Sequence, residues 1–182
     1  RRWAHDAKLL REGGVTIARM MEFAWDRLEP REGEFTFDWM DRALSIFGDA
    51  RINVVLCTPT PTPPPWMFKK YPDILNTNAI TGQVNSPGSR RTVSANAPAY
   101  LEASDRIVTA VAKHWGQHPN VIGWQIDNEF GCHSTTRDLS PHSKKAFQLW
   151  LRAKYATLEA LNAAWGTGFW ATTYTAWDEI PV

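Results

Sequence analysis

Val121-Ile122-Gly123-Trp124-Gln125-Ile126-Asp127-Asn128-Glu129-Phe130-Gly131 opens apolar and β-branched and closes on an amide beside a carboxylate. The apolar start predicts a buried strand over 121–129, with the polar pair at its C-terminal end. In a barrel of parallel strands, those ends carry the chemistry. A Glu placed there can protonate a glycosidic oxygen, and the Asn beside it can hydrogen-bond a neighbouring sugar hydroxyl. The plainer reading is a strand-end Glu that caps the next helix or enters a salt bridge.

Working outward, Val15 to Met20 predicts a short strand leading to Glu22, Phe23 and Trp25, and Ile52 to Leu56 predicts another, buried on both faces. Helices alternate with these strands. Residues 3–12 form the first, stopped by Gly13-Gly14. Asp38 is the expected N-cap of the second, in which Met40, Ala43, Leu44 and Phe47 share a face. A third runs from Pro98 to about His118, with Val108, Val111, Ala112 and Trp115 on one side. A fourth, Pro141 to Tyr155, is expected to bury Phe147, Trp150 and Leu151. The last, Leu158 to Trp165, is capped by Thr157 and stopped by Gly166. Between Thr58 and Ala97 lies a long loop whose Pro59, Pro61, Pro63, Pro64 and Pro65 argue for extended backbone rather than helix. The order α-β-α-β-loop-α-β-α-α is that of βα units on a parallel sheet, an α/β fold.

The 182 residues, 21% charged and 43% hydrophobic, suit one domain with a real core. A formal net charge of +1 gives no reason to expect nucleic acid or an anionic membrane as a partner. Two cysteines, Cys57 and Cys132, make no disulfide framework, and neither a signal peptide nor a membrane-spanning run is visible. A cytoplasmic protein is therefore expected. Ten tryptophans are many; their flat faces suit both core packing and sugar rings.

Several stretches together resemble glycoside hydrolase family 42, the β-galactosidases. They are Glu22 to Pro30, Thr58 to Trp66, Gly88-Ser89-Arg90-Arg91, Asn96 to Tyr100, Gly123 to His133, Leu158 to Trp170, and Trp177-Asp178-Glu179. The resemblance implies a partial (β/α)8 TIM barrel, covering roughly helix 1 to helix 4 and the start of the next barrel segment. It lacks the family's first strand and everything from about the fifth onward. A whole barrel needs about 250 residues, and this chain starts on a helix without Met. Residues 1–182 are thus expected to be an incomplete catalytic domain, cut at both ends.

The resemblance also implies roles. Glu129 would be the general acid/base of a retaining mechanism acting on β-galactosides. Asn128 would hold the hydroxyl next to the reacting carbon. Arg90 would bind substrate, the plainer reading being a solvated loop cation, and Trp170 would either form a wall of the sugar site or serve in plain packing. Glu22 would face the barrel mouth or enter an internal salt bridge. The nucleophile would be a second Glu beyond Val182. Neither Asp127, expected to point away from Glu129, nor Glu179, in a terminal tail, is assigned that part. No cofactor is implied, and a homotrimer is the family's common assembly.

Many family members hold a structural zinc on four cysteines, and the matching positions here read Ser94, Asp138, Ser140 and Ser143. Hydroxyls are poor zinc ligands, so no metal is expected. Cys132 and His133 with Asp138 form a weaker metal-ligating constellation. Two other readings stay open. A β-glucosidase or β-mannanase would keep the barrel and Glu129 but change the sugar. A non-catalytic carbohydrate-binding module would line its tryptophans along one exposed face, whereas this sequence spreads them through helices and loops.

Overall fold

The computed structural model describes residues 2–132 and 135–182. Three parallel strands, β1 (Ile17–Met20), β2 (Asn53–Cys57) and β3 (Val121–Gln125), pair in the order β1-β2-β3. Arg19 stands opposite Val55, which in turn faces Gly123; the register slips by one residue between Val54 and Val55. The helices are α1 (Trp3–Glu12), α2 (Trp25–Leu28), α3 (Asp38–Asp49), α4 (Pro65–Lys70), α5 (Pro98–Trp115), α6 (Pro141–Tyr155) and α7 (Leu158–Trp165).

The core lies where β2 meets the helices. Val54 and Leu56 are fully buried among Trp25, Leu28, Leu44, Ile107, Val111 and Trp115. Burying such side chains supplies roughly 1.5–3 kcal/mol each. On α5 the buried stripe is Tyr100, Ala103, Ile107, Val111 and Trp115, one side of a 3.6-residue helix. A smaller cluster of Leu151, Leu161 and Ile180 joins α6, α7 and the C-terminal tail.

Several expectations need correction. Within residues 1–182, β2 is covered on one face only: Asn53 is exposed and Val55 half-buried. They share the open face with Arg19 and Gln125, because alternate residues of a strand point the same way. α3 begins at Asp38 itself, without a side-chain cap; the carboxylate sits in the first turn, where the helix dipole favours it. The proline-rich loop contains α4, because Pro65 stands at its first position, where a fixed φ and a missing N–H cost nothing. Ala112 is exposed, one step round α5 from the Ile107-Val111-Trp115 stripe. Trp150 is 53% exposed and stacks on the half-buried Phe147 at a 6.0 Å centroid separation, leaving Leu151 as the buried anchor of α6. Finally, β3 ends at Gln125, four residues short of Glu129.

Thr157 and Gly166 bound α7 as expected: the Thr157 hydroxyl accepts from Ala160 N at 3.2 Å, and Gly166 takes φ 63°. Among the described residues, no helix is long and apolar enough to cross a membrane.

Candidate active site

Where β3 stops, the chain turns sharply instead of continuing extended. Asp127 and Glu129 both have positive φ, 60° and 48°. Side chains two apart on a strand would share a face; the turn sends them apart instead. Asp127 goes inward and is buried, while the Glu129 side chain stays 54% exposed at the sheet's C-terminal end.

Hydrogen bonds hold this turn from below. Thr58, following β2, accepts from Asp127 N at 2.7 Å, and Thr60 donates to Asp127 Oδ2 at 2.7 Å. Arg91 pairs with Asp127 Oδ1 and also donates to the carbonyl of Asn128. The Tyr100 hydroxyl donates to Thr60 O at 3.0 Å. Burial, and after it the nearby charge of Asp127, push the Tyr100 phenol up to about 12, so it stays a donor.

Above the turn, Arg90 Nη2 lies 2.8 Å from Glu129 Oε2, and its guanidinium sits 5.6 Å from the centre of the Phe23 ring. Asn128 is buried, with Oδ1 accepting from Gln125 Nε2 at 3.1 Å. Gln125 Oε1 accepts in turn from Arg19 Nη1 at 2.7 Å. Glu22 stands just past β1 and pairs with Arg19 at 2.9 Å, the salt bridge that is one of its two expected places. Burial and then Glu22 push the neighbouring Cys57 thiol up to about 12, which makes Cys57 an inert core residue.

Arg90 and Glu129 are therefore brought together, and Asn128, next to Glu129 in the chain, holds its side chain against Gln125. Trp170 is not joined to them by any hydrogen bond or ring contact among the described residues. It stands 79% exposed on the turn Thr167–Trp170, edge-on to Phe169. Gln125 and Arg19 were missed in the sequence. Their signal was available: two polar residues in apolar strands, at positions that alternation puts on one face.

The four positions matching the family's zinc ligands also meet. Ser140 Oγ and Ser143 Oγ lie 2.8 and 2.6 Å from Asp138 Oδ2, and the Ser94 and Ser140 hydroxyls are 3.1 Å apart. Backbone N–H groups of Thr77 and Ser140 reach Asp138 Oδ1 at 2.9 and 2.8 Å. Burial would raise the Asp138 carboxyl, but these hydrogen bonds, led by that of Ser143, outweigh it and hold the group below its ordinary value. One carboxylate and three hydroxyls, bonded to one another, do not fit zinc. Of the weaker constellation, Cys132 is half-buried and His133 lies outside the described residues.

The profile of glycoside hydrolase family 42, described as β-galactosidase, matches residues 1–182. The chain belongs to glycoside hydrolase family 42. β-Galactosidase BgaA of a Thermus species is 44% identical over 179 residues, which is 98% of this chain and 28% of that protein. A crystal structure of β-galactosidase from the psychrophilic Marinomonas ef1 superposes with TM-score 0.94 at 42% identity, covering 99% of this chain and 27% of that one. The β-galactosidase of the Antarctic haloarchaeon Halorubrum lacusprofundi superposes with TM-score 0.92 at 41% identity, covering all of this chain and 27% of that one. The chain thus spans about a quarter of the length of its family relatives, and its three parallel strands are part of a (β/α)8 barrel.

Proposed function

We propose that residues 1–182 contribute the acid/base part of a longer retaining β-galactosidase, which releases terminal non-reducing β-D-galactose. The observation that carries the reading is the Arg90–Glu129 pair at the C-terminal end of the sheet, with Asn128 next to Glu129 in the chain and its amide held by Gln125. Relatives named β-galactosidases support the sugar.

In this reading Asn128 and Arg90 hold hydroxyls of the galactose ring. Glu129 first gives its proton to the leaving oxygen, then takes one from the water that releases the sugar. The second carboxylate, the nucleophile, comes from another strand of the longer protein. Asp127 is unsuited to that part, since both its oxygens are engaged by Arg91, Asn128 N and Thr60. Glu179 is likewise occupied by the backbone N–H groups of Thr175 and Ala176.

Hydrolysis of nitrophenyl β-galactoside, β-glucoside and β-mannoside by the full-length enzyme tests the reading. The galactoside should give the highest kcat/KM. A higher value on the glucoside or mannoside would replace galactose with that sugar. Absence of turnover on all three would favour a binding module, although the tryptophans argue against one. Trp25 and Trp115 are buried, and the exposed Trp3, Trp150, Trp165 and Trp170 sit on different helices and turns.

A further inference from the structure

We propose that Gln125 is a positioning residue that fixes which end of the Asn128 amide faces the sugar, and that Arg19 sets its polarity. The inference rests on Asn128 contacting the hydroxyl next to the reacting carbon.

A side-chain amide can be turned over, exchanging its oxygen for its NH2, and only its hydrogen-bond partners decide between the two. Here the partners leave no choice. On one side Gln125 meets Arg19 at 2.7 Å, and a guanidinium carries donors only. On the other it meets the Asp127 carbonyl at 2.8 Å, which can only accept. Turned over, Gln125 would face donor with donor at Arg19 and acceptor with acceptor at Asp127. Its oxygen must therefore point to Arg19 and its NH2 toward Asp127 and Asn128.

The constraint then passes on. The second N–H of Gln125 reaches the Asn128 side chain at 3.1 Å, so the atom it meets there must be an acceptor, Oδ1. That leaves Nδ2 as the end Asn128 can offer a ligand, and the sugar hydroxyl must accept from it. Having accepted, that hydroxyl keeps its own proton to donate elsewhere. Arg19 is itself anchored by Glu22 at 2.9 Å, so the polarity starts from a fixed cation at β1 and crosses the open face of the sheet to β3.

The test compares kcat/KM of the full-length enzyme on nitrophenyl β-galactoside and on its 2-deoxy analogue. Comparing each variant's ratio with that of the unmutated enzyme cancels the intrinsic reactivity of the two sugars and any general loss of active protein. Gln125→Met and Gln125→Glu, neither of which can donate to Asn128, should each lower the galactoside-to-deoxygalactoside ratio about tenfold, the weight of one hydrogen bond to the sugar. Equal losses on both substrates, with the ratio unmoved, would overturn the positioning role. Arg19 provides a second variant if the Gln125 changes prevent folding. Arg19→Met should lower the ratio several-fold, and Arg19→Lys, still a pure donor, should restore it. Identical ratios for the Met and Lys variants would overturn the polarity argument. Failure of the underlying reading looks different: the unmutated enzyme would not turn over the galactoside, or would show no sensitivity to the 2-hydroxyl, and the inference would fall with it.

Discussion

One cation, Arg91, spans the two residues that precede Glu129, pairing with the Asp127 carboxylate and donating to the Asn128 carbonyl. Both side chains of the pair are nearly out of water, 12% and 9% exposed. Losing one partner strands the other's charge, which costs about 3–5 kcal/mol in a buried pair. Arg91→Met and Asp127→Asn, each made in the full-length enzyme, should lower the urea midpoint clearly. The double variant should lose less than the sum of the two. Strict additivity would mean that the residues are not coupled.

Glu129→Gln should keep the fold and lose hydrolysis of galactosides with poor leaving groups by about 10²–10⁴-fold, the usual worth of a general acid. Activated aryl galactosides should suffer less, and added azide should restore their turnover by standing in for the activated water. Equal loss on both classes, without an azide effect, would count against the assignment.

The cluster around Asp138 predicts a pH dependence. Its carboxyl is held below the ordinary value of 3.8 in the folded chain. A depressed folded value adds stability that is fully present above the unfolded value and is lost as pH falls through the folded one. Asp138→Asn should therefore destabilise the enzyme near pH 7, and the gap to the parent should close below about pH 4. A gap unchanged at pH 3 would refute it. Elemental analysis of the same preparations should find well under one zinc per chain, and a chelator should leave the melting temperature where it was.

Much of this site could be read in the chain. Helix boundaries marked by strong local chemistry came out as expected: Gly13-Gly14 after α1, Thr157 and Gly166 around α7. The apolar runs gave the strands. The end of β3 was not legible, since Ile126 continues the apolar pattern and the turn is imposed by Thr58, Thr60 and Arg91 from distant parts of the sequence. Nor was α4, because a run of prolines reads as extended until the last of them becomes a helix start. The Arg19–Gln125 contact joins residues 106 positions apart, and no local rule reaches that far.

Residues 1–182 expressed alone should be inactive on any galactoside and poorly soluble or partly molten. β1 and β3 each pair on one side only, and an unpaired strand edge invites association with other chains. Ile122, Ile126, Phe130, Phe169 and Trp170 add exposed apolar surface. A cooperative thermal transition in a monomer would refute the stability half. Galactosidase turnover abolished by Glu129→Gln would refute the other half, and would mean that a nucleophile lies within the chain.

The positive φ of Glu129, 48°, bears on any attempt to engineer this protein. A non-glycine residue held there costs of order 1 kcal/mol, and glycine is the residue that would relieve it. A library sorted for thermal resistance would thus be drawn toward Glu129→Gly, a change that relieves the backbone and discards the carboxylate. Selection by heat and selection by turnover pull in opposite directions at this position, so turnover has to be the first sieve.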